Sequence, residues 1–196
     1  MTTDVDICNL ALGHLGQQGK VTSLVPPDGW AHSAKCATFF PMARKKMLED
    51  RAWTFAGKRV ALAAVTPTVE SGQFPYAFAL PSDLVRARAV IPVGATDEDS
   101  NAIPFHVEAG VLFTTIEEPI LKYTYLNVDP NSYSAGGCEA LSWLMAGYLA
   151  GFITDDKMIK TWCMEQYAAS LSAATSSNMT SDQRQSNYTP AGVAAR

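Results

Sequence analysis

Residues 29–59 read GWAHSAKCATFFPMARKKMLEDRAWTFAGKR, and the fold is organised around them. Phe40, Ala43, Met47 and Leu48 recur at helical spacing and mark one buried stripe, while Lys45, Lys46, Glu49 and Asp50 fall largely off it and should face water. Pro41 sits inside the pattern, where it removes a helix hydrogen bond and should kink the helix or split it in two. The run closes on Trp53, Thr54, Phe55 and Ala56, with Gly57 as a stop. Lys58 and Arg59 follow, where the composition turns from helical to β-like. The stretch is the spine of a helical bundle and the doorway to a second module.

Working back from the spine, residues 20–28 (KVTSLVPPD) form a loop, because the two prolines forbid helix, and Asp28 is the expected N-cap of the spine helix. Before it, Thr3 or Asp4 can cap a first helix whose apolar face carries Ile7, Leu10, Ala11 and Leu15, widened by Cys8 and Leu12, and which Gly13, Gly16 and Gly19 stop by about residue 16. His14 reads as a helix-end histidine. Working forward, Arg59–Val65 extends briefly, and Tyr76–Leu80 alternates like a strand. In Leu84–Val93, Val85, Ala87, Ala89 and Ile91 fall on one side and Arg86 and Arg88 on the other, a half-buried strand with a basic face. Ile103–Val107 and Val111–Ile116 flank Glu108-Ala-Gly110 as a hairpin, and Ile120–Leu126 adds another strand. Short strands with prolines at their ends suggest a small antiparallel sheet or barrel.

Asn127–Gly137 is a loop. Cys138–Phe152 is a helix apolar on nearly every face, so it must be central or covered by a neighbouring subunit. A second helix follows Thr154-Asp155-Asp156. From about Ser172 the chain turns to Ser, Thr, Asn, Gln and Ala, a composition that cannot bury enough apolar surface to order itself. The expected fold is therefore α+β. Residues 1–58 and 135–176 make a helical bundle, 59–134 an inserted small antiparallel β module, and 177–196 a flexible C-terminal tail.

The chain has 196 residues, 47% hydrophobic and 17% charged, with a net charge of −4. That is globular rather than disordered, and an acidic balance argues against wrapping DNA by phosphate neutralisation. The cysteines Cys8, Cys36, Cys138 and Cys163 are scattered, one to a predicted helix, and form no CxxC pair, so they read as reduced buried thiols. The N-terminus MTTDVD is acidic and lacks the apolar core of a signal peptide. The run Cys138–Ile153 carries Glu139 and Ser142 and is too short for a comfortable membrane span.

No phosphate-cradling, zinc-protease, nucleophile-elbow or dinucleotide motif is present, and no metal or cofactor is expected. The pairs Glu49-Asp50, Glu117-Glu118 and Asp155-Asp156 are adjacent in sequence, so their side chains diverge and adjacency alone builds no acid/base dyad. Charge is unevenly laid out. Ala89–Glu118 holds Asp97, Glu98, Asp99, Glu108, Glu117 and Glu118 and no base, whereas Arg44–Arg59 is mostly basic. Either these are two solvated faces, or they are two poles that meet different partners. Trp30, Trp53, Trp143 and Trp162 all fall in the helical part. An all-round apolar helix beside a Trp-bearing one exceeds what a four-helix bundle needs, which points to a subunit interface using Trp143 and Trp162.

Three pieces of this sequence together resemble the head-to-tail adaptors of short-tailed phages, the tail tubular protein A-like family. They are an NxALxxLG helix (DICNLALGHLGQ), a spine carrying Cys36, Phe40, Pro41, Arg44, Leu48, Trp53, Phe55, Ala56, Arg59, Leu62 and Ala63, and a strand carrying Tyr76, Leu80, Pro81, Asp83 and Arg86. The likeness spans residues 6–93, with a weaker fit of the terminal helices. Lys45 departs from it, standing where an acidic residue is common. The resemblance implies a homo-oligomeric ring, typically of twelve copies, docked under the portal protein in the virion. Its β module would face the tail nozzle protein through the acidic surface Asp97, Glu98, Asp99, Glu108, Glu117 and Glu118. Its C-terminal tail would reach the portal through Met179, Arg184, Tyr188 and Arg196, and double-stranded DNA would pass through the lumen unread, with no membrane insertion. The alternative from another class is a tail-associated peptidoglycan hydrolase, for which Glu139 is the candidate carboxylate.

Overall fold

The computed structural model describes residues 1–18, 20–66, 72–95, 101–154 and 156–181, the last seven as backbone only. Its helices are α1 (Asp4–His14), α2 (Ala31–Asp50), α3 (Ala135–Ile153) and α4 (Lys157–Ser181). Its strands are β1 (Gly57–Ala61), β2 (Tyr76–Ala79), β3 (Leu84–Pro92), β4 (Phe105–Glu108), β5 (Val111–Thr114) and β6 (Pro119–Tyr125). The protein is mixed α+β, with the strands inserted between α2 and α3.

The spine helix α2 runs unbroken through Pro41, and its expected stripe is the buried one: Phe40, Ala43, Met47 and Leu48, joined by Cys36 and by Arg44. Asp28 does not cap it. The helix begins at Ala31 behind Trp30 with no side-chain cap. The Asp28 carboxylate instead accepts from the Thr22 amide and hydroxyl and the Trp30 amide, closing the 22–30 loop on itself. Those bonds hold its pKa down at about 2. α1 is capped as expected, through a reciprocal box between Thr3 and Asp6. Leu10, placed on the apolar face by spacing, is 46% exposed, while Cys8 and Leu12, expected to widen that face, fill the core beside Ile7 and Ala11.

α3 is the centre of the bundle. It packs against α1, α2 and α4 of its own chain, and that accounts for its all-round apolar sequence. It starts three residues earlier than the sequence suggests, at Ala135, with the Ser134 hydroxyl accepting from the Gly137 amide. The glycines read as a loop lie in its first turn because neighbours come too close for a Cβ. One added at Gly136 would stand 2.9 Å from the Ala174 Cβ, and one at Gly137 would stand 3.0 Å from the Phe55 ring. α4 continues to Ser181, so the boundary at 177 falls inside a helix. Ala, Ser and Thr cost little in a helix that has already nucleated. Residues 182–196 lie outside the described residues.

The strands form two antiparallel sheets, β1-β6-β3 and β2-β5-β4. Two bridges join them. Beyond β1, Ala63 and Val65 exchange hydrogen bonds with Ala79 and Ala77 of β2, and beyond β3 the Ile103 amide donates to the Val90 carbonyl at 2.8 Å ahead of β4. Pairing thus runs round a closed circuit, β1-β2-β5-β4-β3-β6, and the module is a small barrel stitched at two seams. Its interior holds Phe78, Val90, Leu112, Leu121 and Tyr123. The simple alternation expected along β3 fails, because its register shifts twice against β6, between Leu84 and Arg86 and between Ala87 and Ala89. Val90, on the supposed outer side, is consequently buried in the barrel, while Val85 turns to the bundle.

Candidate functional site: the junction of bundle and barrel

The densest set of specific polar contacts lies where the spine enters the barrel. Trp53 is 1% exposed, and its indole N–H donates to the Met47 carbonyl at 2.8 Å, satisfying one of the last carbonyls of α2. Trp53, Phe55 and Tyr133 stack in series, with ring centroids 5.2 and 4.8 Å apart. Burial pushes the Tyr133 phenol up to about 12, and its hydroxyl donates to the Asn127 carbonyl. Asn127, itself buried, donates through Nδ2 to the Phe55 carbonyl at 2.9 Å and to the Ser132 hydroxyl at 2.7 Å, and accepts from the Asp129 amide. One amide side chain therefore ties the entrance of the barrel to its exit.

The strand motif around Pro81 reaches the same place. The Asp83 carboxylate accepts from Lys58 Nζ at 2.8 Å and from the Tyr123 hydroxyl at 3.0 Å, bonds that lower its pKa and raise that of Lys58. Lys58 also lies 3.8 Å above the Tyr125 ring centroid. Arg86 donates to the Glu49 carbonyl at the end of α2, and Arg88 to the Thr124 hydroxyl and the Trp53 carbonyl. In the second half of α2 Arg44, buried and stacked on Phe40, pairs with Asp4 in the first turn of α1. The basic run Arg44–Arg59 is thus largely engaged in internal pairs, Lys45 with Glu49 and Lys46 with Asp50 among them, and does not present one basic pole.

Of the acidic residues assigned to one surface, the three described ones are not gathered. Glu108 sits at the β4–β5 turn beside His106, while Glu117 and Glu118 lie in the β5–β6 turn at the opposite end of β5, with Glu117 accepting from the Tyr76 hydroxyl. Antiparallel neighbours in sequence alternate ends, so a run that looks continuous in the chain is split by the hairpin. Asp97, Glu98 and Asp99 lie outside the described residues, as do Arg184, Tyr188 and Arg196. Met179 falls on the backbone of the last turns of α4.

Trp143 is flanked by rings of its own chain. His14 stacks on it, 3.5 Å between centroids at 8°, and Trp162 meets it edge-on at 5.1 Å. Of the two tryptophans assigned to a subunit interface, Trp162 is the exposed one, at 46%. His14 Nε2 lies 3.0 Å from the Ser142 hydroxyl. That hydroxyl is fully buried and gives its proton to the Glu139 carbonyl, so the histidine is the donor and the pair locks α1 to α3 rather than arming a nucleophile. Glu139 is exposed and lines an open cleft of about 470 Å³ between α1 and the start of α3. Cys8, Cys36 and Cys163 are buried free thiols and Cys138 is half-buried, one in each helix. Among the described residues no cluster of three or more metal-ligating side chains occurs, and no helix is long and apolar enough to cross a membrane. The chain matches no family model and no curated protein.

Proposed function

We propose that this chain is a structural head-to-tail adaptor of a short-tailed phage. It would form a ring, of the order of twelve copies by the resemblance, between the portal protein and the tail nozzle protein, through which double-stranded DNA passes unread. One observation carries this reading: the three separated sequence pieces that resemble the adaptor family converge in space. α1 is fastened to the spine by Asp4 and Arg44, and the spine to the strand piece by Lys58 with Asp83 and by the Glu49 carbonyl with Arg86. Of the residues matched along the chain, Trp53, Phe55, Asp83 and Arg86 stand where bundle meets barrel. A rigid body with its ends fastened in this way suits a part that transmits load rather than turning over a substrate. The net charge of −4 suits a channel that DNA must leave, since neutralising phosphates would hold it there.

In this reading residues 182–196 with the end of α4 engage the portal, and the adaptor resides in the virion at the head–tail vertex. The test is co-assembly with the portal protein of the same genome, imaged by electron microscopy, using the whole chain and a chain ending at Ser181. A ring under the portal that is lost on truncation supports the reading and places its anchor. Absence of a ring with both chains overturns it, and clearing of a cell-wall suspension by the whole chain but not by Glu139→Gln would favour the hydrolase instead.

A further inference from the structure

Two exposed apolar surfaces at opposite ends of α3 differ in charge. The first lies on α2 and the C-terminal end of α3. Phe39, Tyr148 and Phe152 cluster there, with Phe39 centroids 6.2 and 5.4 Å from the other two rings, and Lys35 Nζ stands 4.5 Å over Phe152. Phe152 is 57% exposed and Met42, one turn along α2 from Phe39, is 60% exposed. Solvent-facing rings and a methionine under a lysine make an apolar surface with positive charge. The second is the 470 Å³ cleft between α1 and the start of α3, lined by Leu10, Ile7 and Tyr133 and flanked by Asp6 and Glu139. Residues 139 and 152 are about 20 Å apart along a helix at 1.5 Å per residue. Tyr148 and Phe152 also leave α3 on a different side from Glu139, given 100° per residue.

We propose that the Lys35–Met42–Phe152 surface of one copy docks into the Asp6–Leu10–Glu139 cleft of a second copy. Phe152 and Met42 would cover Leu10, and the Lys35 ammonium would leave water for the two carboxylates. Because the two surfaces are different and lie apart on the molecule, the contact is head-to-tail, and repetition closes a ring or continues as a filament. The grooved surface of α4 around Met158 and Trp162 suits the cleft less well, since Asp156 and Glu165 stand beside its Lys157 and would face like charges. The proposal deepens the ring reading and rests on it only for what the contact builds.

The test uses the whole chain without portal or nozzle. Leu10→Cys and Met42→Cys, both at exposed positions, are combined in a Cys138→Ala background and treated with a short bis-maleimide. The expected result is a ladder of dimers, trimers and higher species, with each chain that carries only one of the two new cysteines staying monomeric, since Cys8, Cys36 and Cys163 are buried. Lys35→Glu should cut the trimer yield at least tenfold, and adding Glu139→Lys should restore it. Monomer alone, dimers from a chain with only one new cysteine, or a ladder indifferent to Lys35→Glu would each overturn the proposal. A ladder from a chain that fails to dock on the portal would keep this contact and reject the adaptor, and docking without a ladder would do the reverse.

Discussion

Leu12, Met47, Leu48, Leu141, Leu144, Met145 and Leu149 are wholly enclosed by the four helices, whereas the barrel interior rests on Phe78, Val90, Leu112, Leu121 and Tyr123. The bundle makes its core from helices that each touch α3. The barrel makes its core from strands of four to nine residues, two of its seams being short bridges. A core that small contributes little beyond the entropy of ordering its strands. The barrel's stability therefore depends on the junction, where Arg86, Arg88 and Asn127 donate to the Glu49, Trp53 and Phe55 carbonyls at the end of the spine. The chain behaves as a solid base carrying a borrowed module.

The largest way to break that relation is at its shared residue. Trp53→Ala should cost about 3–5 kcal/mol, because it empties a fully buried site and leaves the Met47 carbonyl without its donor. Both halves should unfold together at a lower denaturant concentration. An unchanged midpoint would show that the indole does not hold the junction. Leu121→Ala, inside the barrel, should cost about 2–4 kcal/mol and express itself locally. Amide exchange should quicken in β1, β3 and β6 while α3 stays protected, and equal quickening in α3 would mean that the two cores are one cooperative unit. Asn127→Ala should cost about 1–3 kcal/mol, since it empties a buried polar site and removes the bonds to the Phe55 carbonyl, the Ser132 hydroxyl and the Asp129 amide. It should loosen the barrel's exchange more than the bundle's.

How far the fold could be read from residues follows the same division. Helical spacing named Phe40, Ala43, Met47 and Leu48 correctly because a helix buries a fixed stripe whatever it packs on. The strand expected at Ile120–Leu126 was legible too, and Leu121 and Tyr123 of it enter the barrel interior. What periodicity could not supply were partners far along the chain. Asp28 turned to Thr22 and Trp30 instead of capping α2, its carboxylate closing the 22–30 loop. β3 lost its alternation to two bulges that only its pairing with β6 reveals. Most of the apolar surface of α3 is covered by three helices of its own chain, with Phe152 left exposed at its end. The acidic run was divided by a hairpin. The junction was half legible: the spine's end and Asp83 stood out as motif residues, but Asn127 lay in a stretch read only as loop, with no spacing signal to raise it.

The smallest expected effect is also the most specific to the bundle. His14, between Trp143 and Ser142 with Glu139 nearby, has its pKa lowered from about 6.5, mainly by burial, against the opposing pull of the Glu139 carboxylate. The folded chain therefore resists protonating it while the unfolded chain does not. Between the two pKa values the unfolded state binds more protons, so stability is full above about pH 6.5 and falls as pH drops toward the folded value. The lowered carboxylates Asp6, Asp28 and Asp83 act only in more acidic solution, so the window belongs to His14. Urea midpoints at about pH 7.5 and pH 5.5 should differ for the native chain. In His14→Gln, whose amide can still donate to Ser142 but carries no titrating proton, that difference should shrink. If the variant loses as much stability on acidification as the native chain, the α1–α3 contact is not what senses the proton.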